Sequence, residues 1–177
     1  MLKLFGSIFL LSGMVGILYS WVSEQQVRQK KIVGFIVFLQ KSSYAMEKEK
    51  IRVIDYFRKY AKESCTTKED DTLKLVLIEI ANRLSKNIYP NGKKVWEEVF
   101  GEMEKEWNID KGSFRILVQA GEGFFGKNRE ENRSFIEKSQ KELENQYEGN
   151  NLKNIQERKV WLPVGMLGSL MVIILLI

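Results

Sequence analysis

Residues 71 to 85 read Asp71-Thr72-Leu73-Lys74-Leu75-Val76-Leu77-Ile78-Glu79-Ile80-Ala81-Asn82-Arg83-Leu84-Ser85. Leu73, Val76, Leu77, Ile80, Ala81 and Leu84 advance by three and one in turn. At 3.6 residues per turn that spacing puts all six on one face of a helix, whereas a strand would distribute them over two. The start of this helix is expected at Thr66 or Thr67, because Glu69 and Asp70 suit the positive end of a helix dipole.

The same period recurs on both sides. Upstream, Val53, Ile54, Phe57, Tyr60 and Ala61 make one stripe and Ile32, Phe35, Ile36 and Leu39 another, with the polar cluster Glu47 to Lys50 reading as the break between them. Downstream, Asn87 to Gly92 carries the turn signal Pro90-Asn91-Gly92. Val95, Trp96, Val99, Phe100, Met103 and Trp107 then form a fourth stripe, ended by Asn108 to Gly112. Phe114, Leu117, Val118 and Gly121 belong to a fifth helix that closes at Gly121 to Gly126. A last helix starts near Asn128, carries Phe135, Ile136, Ser139 and Leu143, and passes a weak point at Gly149-Asn150-Asn151 before Leu152 and Ile155. Six stripes of this kind can bury one another, so the expected fold is all-α, an antiparallel bundle of about six helices.

Beyond the bundle lie two apolar runs. Leu4 to Val22 and Val160 to Ile177 carry no charge, and as helices they reach roughly 27 to 29 Å, close to the thickness of a hydrocarbon core. They read as a transmembrane helix at each end. The competing reading of the first run is a cleaved signal peptide, against which stand its length and the poor cleavage pattern at Leu18-Tyr19-Ser20-Trp21. The expected organisation is therefore an anchor at 1–22, a bundle domain at 23–159 and an anchor at 160–177. Arg28, Lys30 and Lys31 follow the first run and Lys153, Arg158 and Lys159 precede the second, whereas the outer flanks hold only Lys3 and the amino terminus. That asymmetry predicts a cytoplasmic bundle with both termini outside, and it makes the lipid bilayer an expected partner.

Composition removes much chemistry. With no histidine and one cysteine, Cys65, no internal disulfide, Cys/His zinc site or Ser-His or Cys-His pair can be assembled. Cys65 reads as a structural thiol. Residues 23–159 hold 27 of the 28 basic and all 23 acidic residues, a net of +4. That balance does not call for nucleic acid, and attraction to an anionic membrane surface is enough to explain it.

Gly121-Glu122-Gly123-Phe124-Phe125-Gly126-Lys127 matches both G-x-G-x-x-G and G-x-x-x-x-G-K. Asn128 stands where a phosphate loop needs Ser or Thr, no strand precedes the motif, and Phe124-Phe125 adds bulk. The segment reads instead as a tight helix-to-helix turn in which glycine permits positive φ and close backbone approach. Glu97, Glu98, Glu102, Glu104 and Glu106, interleaved with Lys93, Lys94 and Lys105, read as a solvated helix face rather than as an acid–base pair. No catalytic residue, cofactor or metal is expected. Candidate partner contacts are Trp96 and Trp107, which lie in the apolar stripe and are more often core, together with Lys127 and Arg129. Gly165, Gly168 and Ser169 offer a small-residue surface for packing against another transmembrane helix.

Several stretches taken together resemble the stage III sporulation protein AB family. They are Met1-Leu2-Lys3-Leu4-Phe5-Gly6, Ile80 with Arg83-Leu84, Val95-Trp96-Glu97-Glu98, Phe114-Arg115-Ile116-Leu117, Gly126-Lys127 and the closing run Val172-Ile173-Ile174-Leu175-Leu176-Ile177. The resemblance covers essentially the whole chain. It implies a fold similar to the cytoplasmic helical domains of the type II secretion and type IV pilus inner-membrane platform protein. It also implies a non-enzymatic platform role in the secretion-like channel between mother cell and forespore, in the mother-cell membrane facing the forespore. The implied partners are a cytoplasmic secretion-type sporulation ATPase and other membrane subunits of that channel. The alternative is a membrane-tethered regulator or sensor with a helical cytoplasmic domain.

Overall fold

A computed structural model of the chain describes residues 2–48, 51–63, 71–86 and 91–176. Among these residues there are eight helical segments and no strand: α1 (Leu2–Lys48), α2 (Val53–Glu63), α3 (Asp71–Ser85), α4 (Gly92–Glu102), α5 (Glu104–Trp107), α6 (Lys111–Gln119), α7 (Gly121–Phe125) and α8 (Arg129–Leu176). The chain divides into two compact units, one of Arg28–Tyr147 and one of Met1–Val27 with Glu148–Ile177. Thr66, Thr67, Glu69 and Asp70, where the start of α3 was expected, lie outside the described residues, as do Cys65 and Pro90.

Arg28–Tyr147 is a helical bundle around an aromatic core. Phe38 of α1 is its hub, with ring centroids 4.9 Å from Tyr60, 5.5 Å from Phe124, 5.9 Å from Phe57 and 6.0 Å from Tyr56. Trp96 of α4 stacks on Phe124 at 5.2 Å and lies 4.6 Å from Phe100. Leu73, Val76, Leu77, Ile80 and Ala81 of α3 and Ile136 and Leu143 of α8 are buried with them. Because the apolar residues recur on one face of each helix, burial turns every stripe inward and leaves the charged faces in water. Helix α2 packs against α3, α3 against α4, and α4 against α7.

The expected fourth helix is two. It breaks at Met103 (φ −100°, ψ 13°), and α5 ends on Asn108 in the left-handed region at φ 46°. Seven residues along a straight helix rise about 10.5 Å, yet the rings of Phe100 and Trp107 stack with centroids 5.6 Å apart. The break draws Trp107 back into the core. Lys31 of α1 closes α5 from outside, donating from Nζ to the carbonyl oxygens of Glu106 and, at 3.2 Å, Trp107, as a cation at a helix C-terminus should.

The glycine segment also differs from expectation. Gly121–Phe125 is helical, and no described glycine has a positive φ. What the glycines supply is contact: a Cβ on Gly121 would stand 2.5 Å from Trp96 Cδ1, and one on Gly123 would stand 2.6 Å from Ile136 Cγ1. The count of segments rises from six to eight because both short helices, α5 and α7, arise from longer expected elements.

In the second unit the stretch Gly149-Asn150-Asn151 does not interrupt α8, which also continues through Pro163. Gly165 is half-buried, Gly168 is exposed with nothing near it, and the side chain of Ser169 lies outside the described set. Among the described residues no helix is long and apolar enough to cross a membrane. This overturns the expected two-span membrane location. Helices α1 and α8 are long mixed helices whose apolar runs give way to charge, from Glu24 onward in α1 and up to Lys159 in α8.

The cap of α6 gives a first quantitative expectation. Asp110 accepts from Ser113 N at 2.9 Å and from Gln146 Nε2 at 3.3 Å. Burial pushes its carboxyl up, but these hydrogen bonds outweigh it and hold the pKa below the ordinary 3.8. A carboxylate depressed on folding stabilises fully above its unfolded pKa, and that contribution is lost as pH falls through the folded value. Asp110→Ala is therefore expected to lose about 1 kcal/mol at neutral pH. In thermal melts it should also flatten the acid limb of stability below about pH 4. Equal acid limbs in variant and parent would refute the assignment.

Candidate functional site

Among the described residues no group of three or more His, Cys, Asp or Glu side chains could hold a metal ion. Across the described surface, helices are fixed to one another by ion pairs. Arg83 of α3 is the centre of one such link. It donates from Nη1 and Nη2 to the two carboxylate oxygens of Glu102 on α4, at 3.0 and 2.6 Å, and from Nε to Glu79 one turn earlier at 2.8 Å. These bonds raise the guanidinium pKa, and Arg83 in turn lowers that of Glu102. A fork-to-fork pair of this kind fixes two helices in register rather than merely attracting them. On the other flank of α3, Arg58 of α2 donates to Ser85 Oγ at 2.6 Å.

Helix α4 is tied in the same way to α7. Lys93 Nζ is bonded to Glu122 and stands 3.9 Å from Glu97, and the bond to Glu122 raises its pKa. Asn91 caps α4 by accepting from Lys93 N at 3.0 Å. The acidic residues expected to form a solvated face do lie at the surface, Glu97, Glu102, Glu104 and Glu106 exposed and Glu98 half-exposed.

The corner between α7 and α8 brings two of the candidate residues together. Asn128 Oδ1 accepts from Glu130 N at 3.1 Å and caps α8, while the buried Asn132 donates from Nδ2 to Gly126 O at 3.0 Å. Lys127 and Arg129 flank the cap, both exposed. Asn132 sits against Gly126 so closely that a Cβ there would collide with its side-chain oxygen. The space a phosphate cradle needs is thus filled by an amide. A segment that follows helix α6 also lacks the strand-to-helix geometry of phosphate loops.

Trp96 and Trp107 are not surface residues. Both are fully buried, Trp96 donating from Nε1 to Leu117 O at 3.1 Å and Trp107 holding an indole N–H with no partner among the described residues. Sequence reasoning missed the Arg83–Glu102 link and the Lys31 closure of α5. Glu79 and Arg83 could be paired from their spacing of four, but Glu102 is 19 positions on and Lys31 lies 75 positions before Glu106.

A family model described as Stage III sporulation protein AB matches residues 3–177. A solved structure described as "Stage III sporulation protein AB (SpoIIIAB)" is similar to this chain with a TM-score of 0.63, at 16% sequence identity, over 73% of this chain and 97% of that one. At that identity the likeness is one of fold. Among curated proteins nothing matches this chain.

Proposed function

We propose, for a chain that belongs to the stage III sporulation protein AB family, that its bundle is a platform of the secretion-like channel between mother cell and forespore. In this role it docks a cytoplasmic secretion-type ATPase and other channel subunits. The family is a structural component of sporulation rather than a known family of enzymes, and the sporulation-related role follows from membership. The observation that supports a platform is mechanical. Ion pairs and hydrogen bonds lock α2, α3, α4 and α7 to one another over a close-packed aromatic core. A bundle so braced can transmit and receive force without rearranging, because a dense core resists small deformations.

Exposed cations at the α7–α8 corner are the contacts we assign to the ATPase. Lys127→Glu with Arg129→Glu is expected to weaken binding of the purified full chain to that ATPase about tenfold, since reversing two rim charges costs about 1.4 kcal/mol. Thermal stability should stay within about 0.5 kcal/mol of the parent, as befits exposed positions. Titration calorimetry checks the first and thermal melts the second. In cells, deletion of the chain should abolish spores and spare vegetative growth. A normal spore yield would remove the proposal, and unaltered ATPase affinity in the double variant would remove the corner as its contact.

A further inference from the structure

The turn between α5 and α6 is held by the two long helices of the chain, one on either side. On the α1 side, Lys31 Nζ donates to the last two carbonyls of α5, Glu106 O and Trp107 O. Phe35, one turn further along α1, meets the Trp107 ring edge-on with centroids 6.1 Å apart. On the α8 side, Gln146 donates from Nε2 to Asp110 Oδ1, the atom that caps α6 through Ser113 N. Gly112 leaves room for that reach, since a Cβ on it would stand 2.8 Å from Gln146 Nε2. The links Arg58–Ser85, Arg83–Glu102 and Lys93–Glu122 join α2, α3, α4 and α7, and none of the three includes α5, α6 or the turn between them.

One feature works against this docked arrangement. The indole N–H of Trp107 is fully buried without an acceptor among the described residues, and a donor so placed gains by reaching water. Both long helices meanwhile run on unbroken, α1 back to Leu2 and α8 on to Leu176. Lys31 stands three residues after Arg28 and Gln146 one before Tyr147, the first and last residues of the bundle unit. The grips on the turn therefore lie where the two helices leave the bundle. A slide of one helical turn, about 5.4 Å, carries Lys31 and Phe35 past the end of α5, or Gln146 past Asp110.

We propose that the α5–α6 turn is a latch set by the register of α1 against α8. It is closed while both helices stand as observed. When either slides along its axis, it opens in one piece, freeing Trp107 and the α6 cap together. Opening also moves the exposed Glu104, Lys105 and Glu106 of α5, so the position of the long helices changes the charged surface of the bundle while α2, α3, α4 and α7 stay braced. The latch does not depend on which partner the bundle docks.

The test is native-state hydrogen exchange of the full chain, read by NMR at the Trp107 indole N–H, the Ser113 amide and, in the braced part, the Ile80 amide. Corrected for their intrinsic rates, Trp107 and Ser113 are expected to exchange through one opening, equally fast and faster than Ile80. Lys31→Met should speed both about tenfold, although it touches only the α5 end, and Gln146→Leu should speed both severalfold, although it touches only the α6 cap. A last variant holds α1 to α8 away from the turn. Ser43 Oγ and Glu137 Oε1 lie 3.4 Å apart, so Ser43→Cys with Glu137→Cys, in a chain that also carries Cys65→Ser, can be joined by a short bifunctional thiol reagent. Joining them should bring the two turn sites closer to the Ile80 rate than in the same chain left unjoined. Turn sites that exchange no faster than Ile80 in the parent overturn the proposal, because the turn then opens only when the whole bundle does. So does a variant that speeds only the site it touches, and so does a cross-link that leaves the interval between the turn and Ile80 unchanged or wider. Should Lys31→Met fail to fold, the parent, Gln146→Leu and the cross-linked chain decide the matter.

Discussion

Trp96→Ala is expected to destabilise the bundle by about 3 to 5 kcal/mol, the range for removing a large aromatic side chain from a packed core. The indole is fully buried, its ring stacks on Phe124 and lies within 6.3 Å of Phe35, Phe57 and Phe100. Its Nε1–H satisfies Leu117 O on α6. Truncation therefore opens a cavity among four rings and leaves a buried carbonyl without its donor, two losses that add. Against a typical total stability of about 5 to 15 kcal/mol, much of the folded population should disappear. Urea denaturation followed by circular dichroism reads the loss as a fall in midpoint. Trp96→Phe, which keeps an aromatic ring and deletes the hydrogen bond, should fall between variant and parent. A midpoint unchanged in Trp96→Ala would mean that the core is not built around this ring.

Gly123→Val should be nearly as damaging, for the opposite reason. A Cβ at this position would lie 2.6 Å from Ile136 Cγ1, 3.1 Å from Asn132 O and 3.2 Å from Ile136 N. The first of these atoms could move by a rotamer change, but the other two are backbone of α8. Overpacking a close contact costs about 1 to 3 kcal/mol even when the neighbours can yield, and a β-branched side chain against a helix backbone should reach the top of that range or exceed it. The same denaturation experiment checks it. If Gly123→Val is tolerated, α7 and α8 do not approach as described.

Much of this architecture was legible because the period of the apolar residues is a local property. The α3 stripe is the clearest instance: five of the six residues picked out by spacing are buried and the sixth, Leu84, packs against them. Where the reading went astray, the cause was contact between residues remote in sequence. Near Met103 only Gly101 could have hinted at a break, and the regular spacing of Val99, Phe100, Met103 and Trp107 runs straight across it. The short helix α5 exists because Lys31 closes its end and because Phe35 and Phe100 receive Trp107. Gly121 and Gly123 were recognised as special, but their role is to admit Trp96 and Ile136 rather than to turn the chain. Hydropathy alone suggested membrane spans at both ends, and it does not weigh how the charged lengths of α1 and α8 continue those runs. The surface network around Arg83 shows the same division, its i, i+4 half visible in the sequence and its Glu102 half set by packing.

Phe38 and Phe124 touch in the centre of the bundle, and Ser43 of α1 reaches Glu137 of α8 across 94 residues of chain. The ribosome delivers these partners far apart in time. During synthesis Phe38 of α1 can meet Tyr56, Phe57 and Tyr60 of α2 early, but its contact with Phe124 must wait until α7 has emerged, so closure of the core is a late event. For that interval the nascent chain presents an aromatic surface to its surroundings, and truncation before Phe124 would leave it presenting that surface permanently.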